Sequence, residues 1–191
     1  MGFIEFINRV DFAILDFINN HLHVGILDKI LPAVSRLADK GLFWIFLAIM
    51  FLFDKSTRKT AIKMGIALAL GLAIGNGLLK NIVQRVRPYD VNTSVNLLIE
   101  RLSDWSFPSG HTLASFEAAG VLMICERKRF GIIALVYAIL IAFSRLYLYV
   151  HYPTDVLASV VLGLLFAFIA CKAVDLVAGL FEKRSRNKSK A

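Results

Sequence analysis

Three short clusters in the sequence hold side chains able to do chemistry. They are Lys80 with Arg87 and Pro88, then Pro108-Ser109-Gly110-His111, then Ser144-Arg145 with His151 and Asp155. Together they offer three permanent cations, two histidines and one carboxylate. A phosphate ester is anionic, and a transferring phosphoryl group spreads its charge over several oxygens. Where no metal meets that charge, fixed cations and N–H donors must do so. The inventory is that of a phosphoryl-transfer site that uses no metal and no cofactor.

Spacing suggests how the work is divided. Covalent transfer needs a nucleophile and a proton donor for the departing oxygen. His151 lies four residues before Asp155. A carboxylate that accepts from one ring nitrogen fixes the tautomer and leaves the other nitrogen free to attack. His111 has no acidic neighbour at such spacing, so it reads as the general acid and later as the base that activates water. Lys80 and Arg87 are seven residues apart, about two helical turns, and are expected on one helix face. Arg145 adds a third cation. Ser109 and Gly110 precede a helix expected from about Thr112, whose first N–H groups and dipole make an anion site. Gly110 also lets the backbone approach a ligand closely.

The elements that carry these clusters are apolar. Of 191 residues 58% are hydrophobic, and the mean hydropathy is +0.67. That excludes an ordinary soluble domain. Ala61–Leu79 and Phe130–Tyr149 approach the ~20 residues that cross a bilayer, and Val156–Leu180 exceeds it. Leu42–Phe53 is short and borrows Ile26–Leu37. Thr112–Cys125 is short too, and must begin within the histidine cluster. The expected fold is an all-α integral membrane helical bundle with five or six spans. Residues 24–181 form its membrane domain. Residues 1–23 read as an amphipathic interfacial helix, with a poor first span as the alternative, and 182–191 as a disordered basic cytoplasmic tail. Lipid-facing and partner-facing apolar surfaces have the same composition, so the sequence does not set the number of subunits.

The net charge of +8 does not point to nucleic acid. The basic runs Lys55–Lys59, Arg127–Arg129 and Lys183–Lys190 each follow an apolar segment, and two spans separate each from the next. All three then lie on one side, the cytoplasm by the positive-inside rule. The segments that turn on the opposite, extracytoplasmic side are 80–111 and 145–155, which hold the three clusters.

Further readings concern residues outside the clusters. The last apolar helix is expected to start at Pro153, and the second to run to about Val86 and stop at Pro88. Tyr89, Trp105, Phe107, Tyr147, Tyr149 and Tyr152 suggest an interfacial aromatic belt. His21 and His23 read as solvated loop residues. Cys125 and Cys171 read as small apolar side chains without a disulfide. Lys172 and Asp175 are expected to snorkel or pair. Glu117 sits about 240° round the helix from His111, off that histidine's face. It is expected to pack against a buried cation or polar neighbour, with a substrate or water role as the alternative.

Taken in order, the clusters resemble the three-part signature of the type 2 phosphatidic acid phosphatase family. The parts are KNIVQRVRP (Lys80–Pro88), PSGH (Pro108–His111) and SRLYLYVHYPTD (Ser144–Asp155), and every signature position is filled. The resemblance covers roughly residues 40–175. It implies a metal-independent membrane lipid phosphatase with His151 as nucleophile, Asp155 orienting it and His111 as acid and base. Lys80, Arg87, Ser109, Gly110 and Arg145 are then the phosphate ligands. The partners it implies are a membrane lipid phosphate and the bilayer. Undecaprenyl diphosphate leads, because a recycled carrier lipid presents its pyrophosphate on the outer face. Phosphatidylglycerophosphate and phosphatidic acid follow. Soluble vanadium haloperoxidases resemble the family at the site, and the apolar segments argue against that activity here. A non-catalytic anion-binding or transport protein is the alternative of another class.

Overall fold

A computed structural model describes residues 2–126 and 128–188. Arg127, within one expected basic run, and residues 189–191 of the expected tail lie outside the described residues. Helices and no strand occur among the described residues: α1 (Phe3–His21), α2 (Leu27–Leu37), α3 (Leu42–Phe53), α4 (Arg58–Leu70), α5 (Pro88–Val91), α6 (Gly110–Cys125), α7 (Lys128–Tyr147) and α8 (Pro153–Lys188). α4 continues as π-helix over Gly71–Leu79 and regains α geometry at Lys80–Val83. Three stretches are long and apolar enough to cross a membrane, Arg58–Val91 (whose helix is broken at residues 84–87), Lys128–Tyr147 and Pro153–Phe181, and Gly110–Cys125 is a shorter apolar helix. Their outward residues, such as Leu72, Ile133, Leu157 and Val161, are exposed. The apolar surface that water would oppose faces lipid instead.

α6 is the enclosed helix of the bundle. From Thr112 to Leu122 every residue except Ala114 is buried. Small side chains bring α8 against it. A Cβ at Gly163 would stand 2.9 Å from Leu113 O and 2.9 Å from Phe116 Cβ, and one at Gly120 would stand 2.8 Å from Ala167 Cβ. On the other side Trp44 of α3 is buried, and its indole N–H donates to Ser115 Oγ at 3.0 Å.

The two ends of the bundle differ in chemistry. At one end Lys59 and Lys63 meet Asp175 at 2.7 and 2.9 Å, and Thr60 donates to Glu126 at 2.6 Å. Asp175 therefore pairs, as its position suggested, while Lys172 lies over the Phe168 ring at 5.5 Å. Cys125 and Cys171 are free, with Sγ atoms 3.6 Å apart. The three signature clusters gather at the opposite end.

Several local expectations change. The α4 continuation ends at Val83, not Val86, because Gln84 turns left-handed with φ of 48°. Pro88 does not stop that helix; it opens α5, where its missing N–H is no loss. Lys80 and Arg87 therefore approach through a turn of extended chain, not through helical spacing. Four of the six belt aromatics are interior: Tyr89, Tyr147, Tyr149 and Tyr152 are at most 4% exposed. Tyr89, Tyr149 and Tyr152 pack with Leu15 of α1, Leu148 and Val150, and Tyr147 packs with Ile18 and Leu31. Trp105 keeps an exposed face. His23 is not a solvated loop residue. It stacks on Tyr147 at 4.3 Å and meets Asp28 at 3.1 Å. α8 begins at Pro153 as expected, and it runs on to Lys188, through most of the stretch read as a tail.

The α6–α8 contact makes a direct test. Gly163→Val puts carbon into backbone atoms that cannot yield, and is expected to destabilise the protein by about 1–3 kcal/mol. Gly179 on the same helix has open space around its Cβ position. Gly179→Ala should leave the melting temperature in detergent unchanged or slightly raised. Equal losses for the two would refute close α6–α8 packing.

Candidate active site

Four elements of the chain bring the site residues together. Lys80 lies on the last turn of the α4 continuation. Arg87 sits in extended conformation just before α5, as a residue preceding proline should. Gly110 and His111 open α6, where the first N–H groups have no acceptor within the helix. His151 lies in the short turn between α7 and α8, and Tyr149 there adopts a φ of 57°. Lys80, Arg87, Gly110, His111 and His151 line one cavity of about 560 Å³.

Arg87 is only 2% exposed and fully engaged. It donates to Asp104 O at 2.8 Å, Val150 O at 2.7 Å and Asp104 Oδ1 at 2.5 Å. Its Nη1 also approaches His151 Nε2 at 3.4 Å. Lys80 bonds the other oxygen of the same Asp104 carboxylate. Against the cost of burial, Lys80 and Arg87 hold the Asp104 carboxyl down at about 2. An anion thus already bridges the two cations of the first cluster.

The histidines are held differently from what their spacing suggested. His151 Nδ1 bonds Ser106 O at 2.7 Å, whereas Asp155 Oδ2 is 3.9 Å away, too far for a hydrogen bond. The Ser106 carbonyl therefore takes the Nδ1 proton, and Nε2 presents its lone pair beside Arg87. Asp155 acts one step back. Its Oδ2 accepts from Ser106 Oγ at 2.5 Å and from Tyr152 N–H at 3.1 Å, and its Oδ1 accepts from Arg85 at 2.6 Å. Burial, opposed by Asp155 and reinforced by the Arg87 and Arg145 charges, pushes the His151 imidazole down to about 3. His111 does have an acidic neighbour, Asp39, 72 residues away in sequence. Its Nε2 meets Asp39 Oδ1 at 2.7 Å, so the proton lies on that nitrogen. The turn that presents Asp39 is left-handed at Lys40 and Gly41, with φ of 53° and 70°.

Not every expected phosphate ligand faces the cavity. Ser109 is buried behind it, its N–H given to Ser159 Oγ at 2.8 Å and its hydroxyl paired with Thr112 at 3.0 Å. Ser144, a signature residue not expected to bind phosphate, bonds Ile141 O within its own helix. Arg145 is fully buried and donates to Ser35, while its Nε and Nη2 have no partner. It lines an adjoining cavity of about 360 Å³ that shares Asp39 and Leu102 with the larger one. Its unclaimed guanidinium donors suit phosphate oxygens, though Arg145 lines only the smaller of the two cavities.

The larger cavity has a second character. Ile45, Leu68, Leu72 and Leu113 line its apolar part, and Ile45 and Leu72 are also exposed on the lipid-facing surface. Glu117 lies in this part, so it shares the cavity with His111 despite the angle between them. No cation meets it among the described residues. Its Oε1 and Asn76 Oδ1 are buried without hydrogen-bond partners. The carboxyl lies over Gly71, where any Cβ would collide with it.

Sequence reading missed Asp39, Asp104, Ser106 and Arg85. Ser106 and Asp104 stand just before the PSGH cluster, and Arg85 lies inside KNIVQRVRP. Their position beside the clusters was the signal available.

Comparisons with known proteins identify the family and the fold. The PAP2 superfamily model matches residues 60–177. The chain is 32% identical over 155 residues to a Bacillus subtilis protein named undecaprenyl-diphosphatase BcrC, covering 81% of this chain and 79% of the relative. It is 28% identical to a Sulfolobus acidocaldarius undecaprenyl-diphosphatase, covering 79% and 72%. Among solved structures, Aquifex aeolicus LpxE superposes with a TM-score of 0.76 at 28% identity, covering 85% of this chain and 95% of that one. A Bacillus subtilis PAP2-type phosphatidylglycerolphosphate phosphatase gives 0.70 at 27% identity, covering 92% and 86%. With the signature intact and its residues gathered at one end of a membrane bundle, the chain belongs to the PAP2 superfamily and is a membrane lipid phosphatase.

Proposed function

We propose that the chain hydrolyses its lipid phosphate without a metal, through a phosphohistidine on His151. The observation that carries this reading is the held His151 ring, with Nδ1 on Ser106 O and the Nε2 lone pair beside Arg87 in the cavity. The substrate phosphate takes the place of the Asp104 carboxylate between Lys80 and Arg87, with Arg145 at its side. Nε2 attacks phosphorus as the P–O bond to the lipid breaks, and a protonated His111, its Nε2–H held by Asp39, gives its Nδ1 proton to the departing oxygen. Asp155 stabilises the positive ring that results. Water then attacks the phosphohistidine, His111 takes its proton, and inorganic phosphate leaves with His151 restored.

Undecaprenyl diphosphate is the proposed substrate, supported by the relatives of that name and by the apolar cavity wall that reaches the lipid-facing surface. A second reading, a glycerol- or sugar-based phosphate such as phosphatidylglycerophosphate, is favoured by Asn76 and Glu117. Their unpartnered oxygens call for a ligand with hydroxyl or amide donors beyond its phosphate, which a prenyl chain lacks. The active site is proposed to face outward from the plasma membrane with the C-terminus in the cytoplasm, since the basic residues collect at the opposite end. Residues 1–23 would then lie at the outer interface.

Four outcomes are expected. His151→Ala in detergent should abolish phosphate release from every lipid phosphate, and EDTA should leave the native rate intact. Undiminished release from the variant, or dependence on added Mg²⁺, contradicts the mechanism. Asp104→Asn should lower KM and strengthen inhibition by inorganic phosphate several-fold, because the competing carboxylate charge is gone; a raised KM would show that Asp104 assists binding. His151 must be neutral to attack, and its pKa of about 3 keeps it neutral until the pH falls through that value. Corrected for substrate ionisation, kcat/KM should therefore hold its plateau down through roughly pH 5, whereas an unperturbed histidine would lose activity near 6.5. Glu117→Met should slow phosphatidylglycerophosphate turnover selectively if the second reading holds, and should leave undecaprenyl diphosphate turnover little changed if the first does.

A further inference from the structure

Arg85 falls between the signature positions Lys80 and Arg87, and the mechanism above does not use it. It is nonetheless the hub of a network that reaches the N-terminal helix. Its Nη1 donates to Asp155 Oδ1 at 2.6 Å and to Thr154 Oγ1 at 2.7 Å. Its Nη2 donates to Asp11 Oδ2 at 2.7 Å and to Asn8 Oδ1 at 3.1 Å. The guanidinium lies over the Tyr152 ring, 3.7 Å from its centre, and the Arg85 carbonyl accepts from Ser106 N–H at 2.8 Å.

Asp11 is a carboxylate on an otherwise amphipathic helix, yet it is 1% exposed. Besides Arg85 it accepts from Thr154 N–H at 3.0 Å and Thr154 Oγ1 at 2.6 Å, in the first turn of α8, one residue before Asp155. Phe12 packs edge-on against Tyr152 at 5.4 Å, and Asp16 accepts from Tyr149 at 2.6 Å. α1 thus grips both sides of the turn that carries His151. It lies wholly outside the residues matched by the family model.

We propose that α1 is a clamp on the His151–Asp155 pair, in which Asp11, by sharing the charge of Arg85, sets how much of the Asp155 carboxylate acts on His151. Asp11 and Arg85 are positioning residues; neither lines the cavity. The clamp rests on the phosphohistidine reading of His151. Charges also face His151 from other elements: Arg87 before α5, Arg145 at the end of α7, and Asp104 by way of Arg87. These stay constant when Asp11 or Arg85 is changed.

Opposite charge changes should then have opposite effects. In Asp11→Asn, Arg85 bears on Asp155 alone, so the carboxylate supports the cationic ring less and phosphoenzyme formation slows roughly three- to tenfold. In Arg85→Gln, Asp155 acts undiluted on the ring. The acid limb of kcat/KM should rise by about one pH unit, with phosphoenzyme breakdown as the slowed step. Arg85→Lys should return the limb toward its native position. KM should change less than about twofold throughout, since neither residue touches phosphate.

The experiment is single-turnover quench of the full-length protein in detergent with radiolabelled phosphatidic acid, together with pH profiles and melting temperatures. Opposed effects on the two half-reactions support the clamp. Equal slowing of both steps that tracks lost thermal stability, or a limb that moves the same way in both variants, overturns it. A native protein that forms no phosphoenzyme overturns the His151 reading beneath it, a result distinct from either.

Discussion

Burial of the Arg87 guanidinium fixes the architecture of the active-site end. A cation 2% exposed needs an acceptor for each N–H it turns inward. Here the acceptors are main-chain carbonyls of Val150, Asp104 and Trp105, with the Asp104 carboxylate. They belong to two segments far apart in sequence, the loop before α6 and the turn between α7 and α8. By holding both, Arg87 determines where Ser106 and His151 come to rest, each within two residues of an anchored position. The contact between Ser106 O and His151 Nδ1 follows from that placement. The tautomer of His151, the proposed nucleophile, is thus settled by the needs of a buried cation, not by a carboxylate partner.

The cavity in turn depends on how closely α6 is approached from the α4 side. The approaching segment is the π-helical stretch Gly71–Leu79, and π turns inside α-helices recur at functional sites. Two of its glycines face α6 where a Cβ would displace a side-chain tip, the Glu117 carboxyl at Gly71 and Leu113 Cδ2 at Gly75. Asn76 from the same stretch reaches Gly110, where a Cβ would lie 3.0 Å from its Oδ1. Ile45 and Leu72 line the cavity and are exposed on the outer apolar surface, so the cavity wall reaches that surface. An amphiphile can then keep its tail in hydrocarbon while its phosphate reaches the cations.

How much of this was legible in the sequence depended on range. Apolar length located the long helices, and Pro153 marked the start of α8, because both are local properties of the chain. The signature clusters were legible because their residue types are costly in a membrane. Partnerships between loops were not. His111 meets Asp39 across 72 residues, Lys80 meets Asp104 across 24, and His151 meets Ser106 across 45. The four-residue spacing of His151 and Asp155 pointed to a direct bond, yet those two lie 3.9 Å apart with Ser106 bonded to both. The tyrosines misled for a related reason. Their polar tips suit a membrane interface equally well, and only tertiary partners such as Asp16, Asp28 and the Leu102 carbonyl show that they are interior.

The same desolvation serves both halves of the proposed chemistry. A histidine in water near neutral pH is partly protonated, and the protonated fraction cannot attack. Burial removes that fraction by penalising the imidazolium. It also strengthens each cation–phosphate contact, since charges interact more strongly away from water. An empty site of this kind would hold Lys80 and Arg87 close together with nothing between them, a repulsive arrangement. Asp104 relieves it from a loop whose carboxylate is half exposed and has only to swing outward. The deeper carboxylate, Asp155, has no such freedom: Ser106, Tyr152 and Arg85 all bind it. In the proposed mechanism a half-exposed loop carboxylate guards the cations and a buried one supports the nucleophile. The chain separates the two functions by placing one on a loop and the other in the first turn of α8.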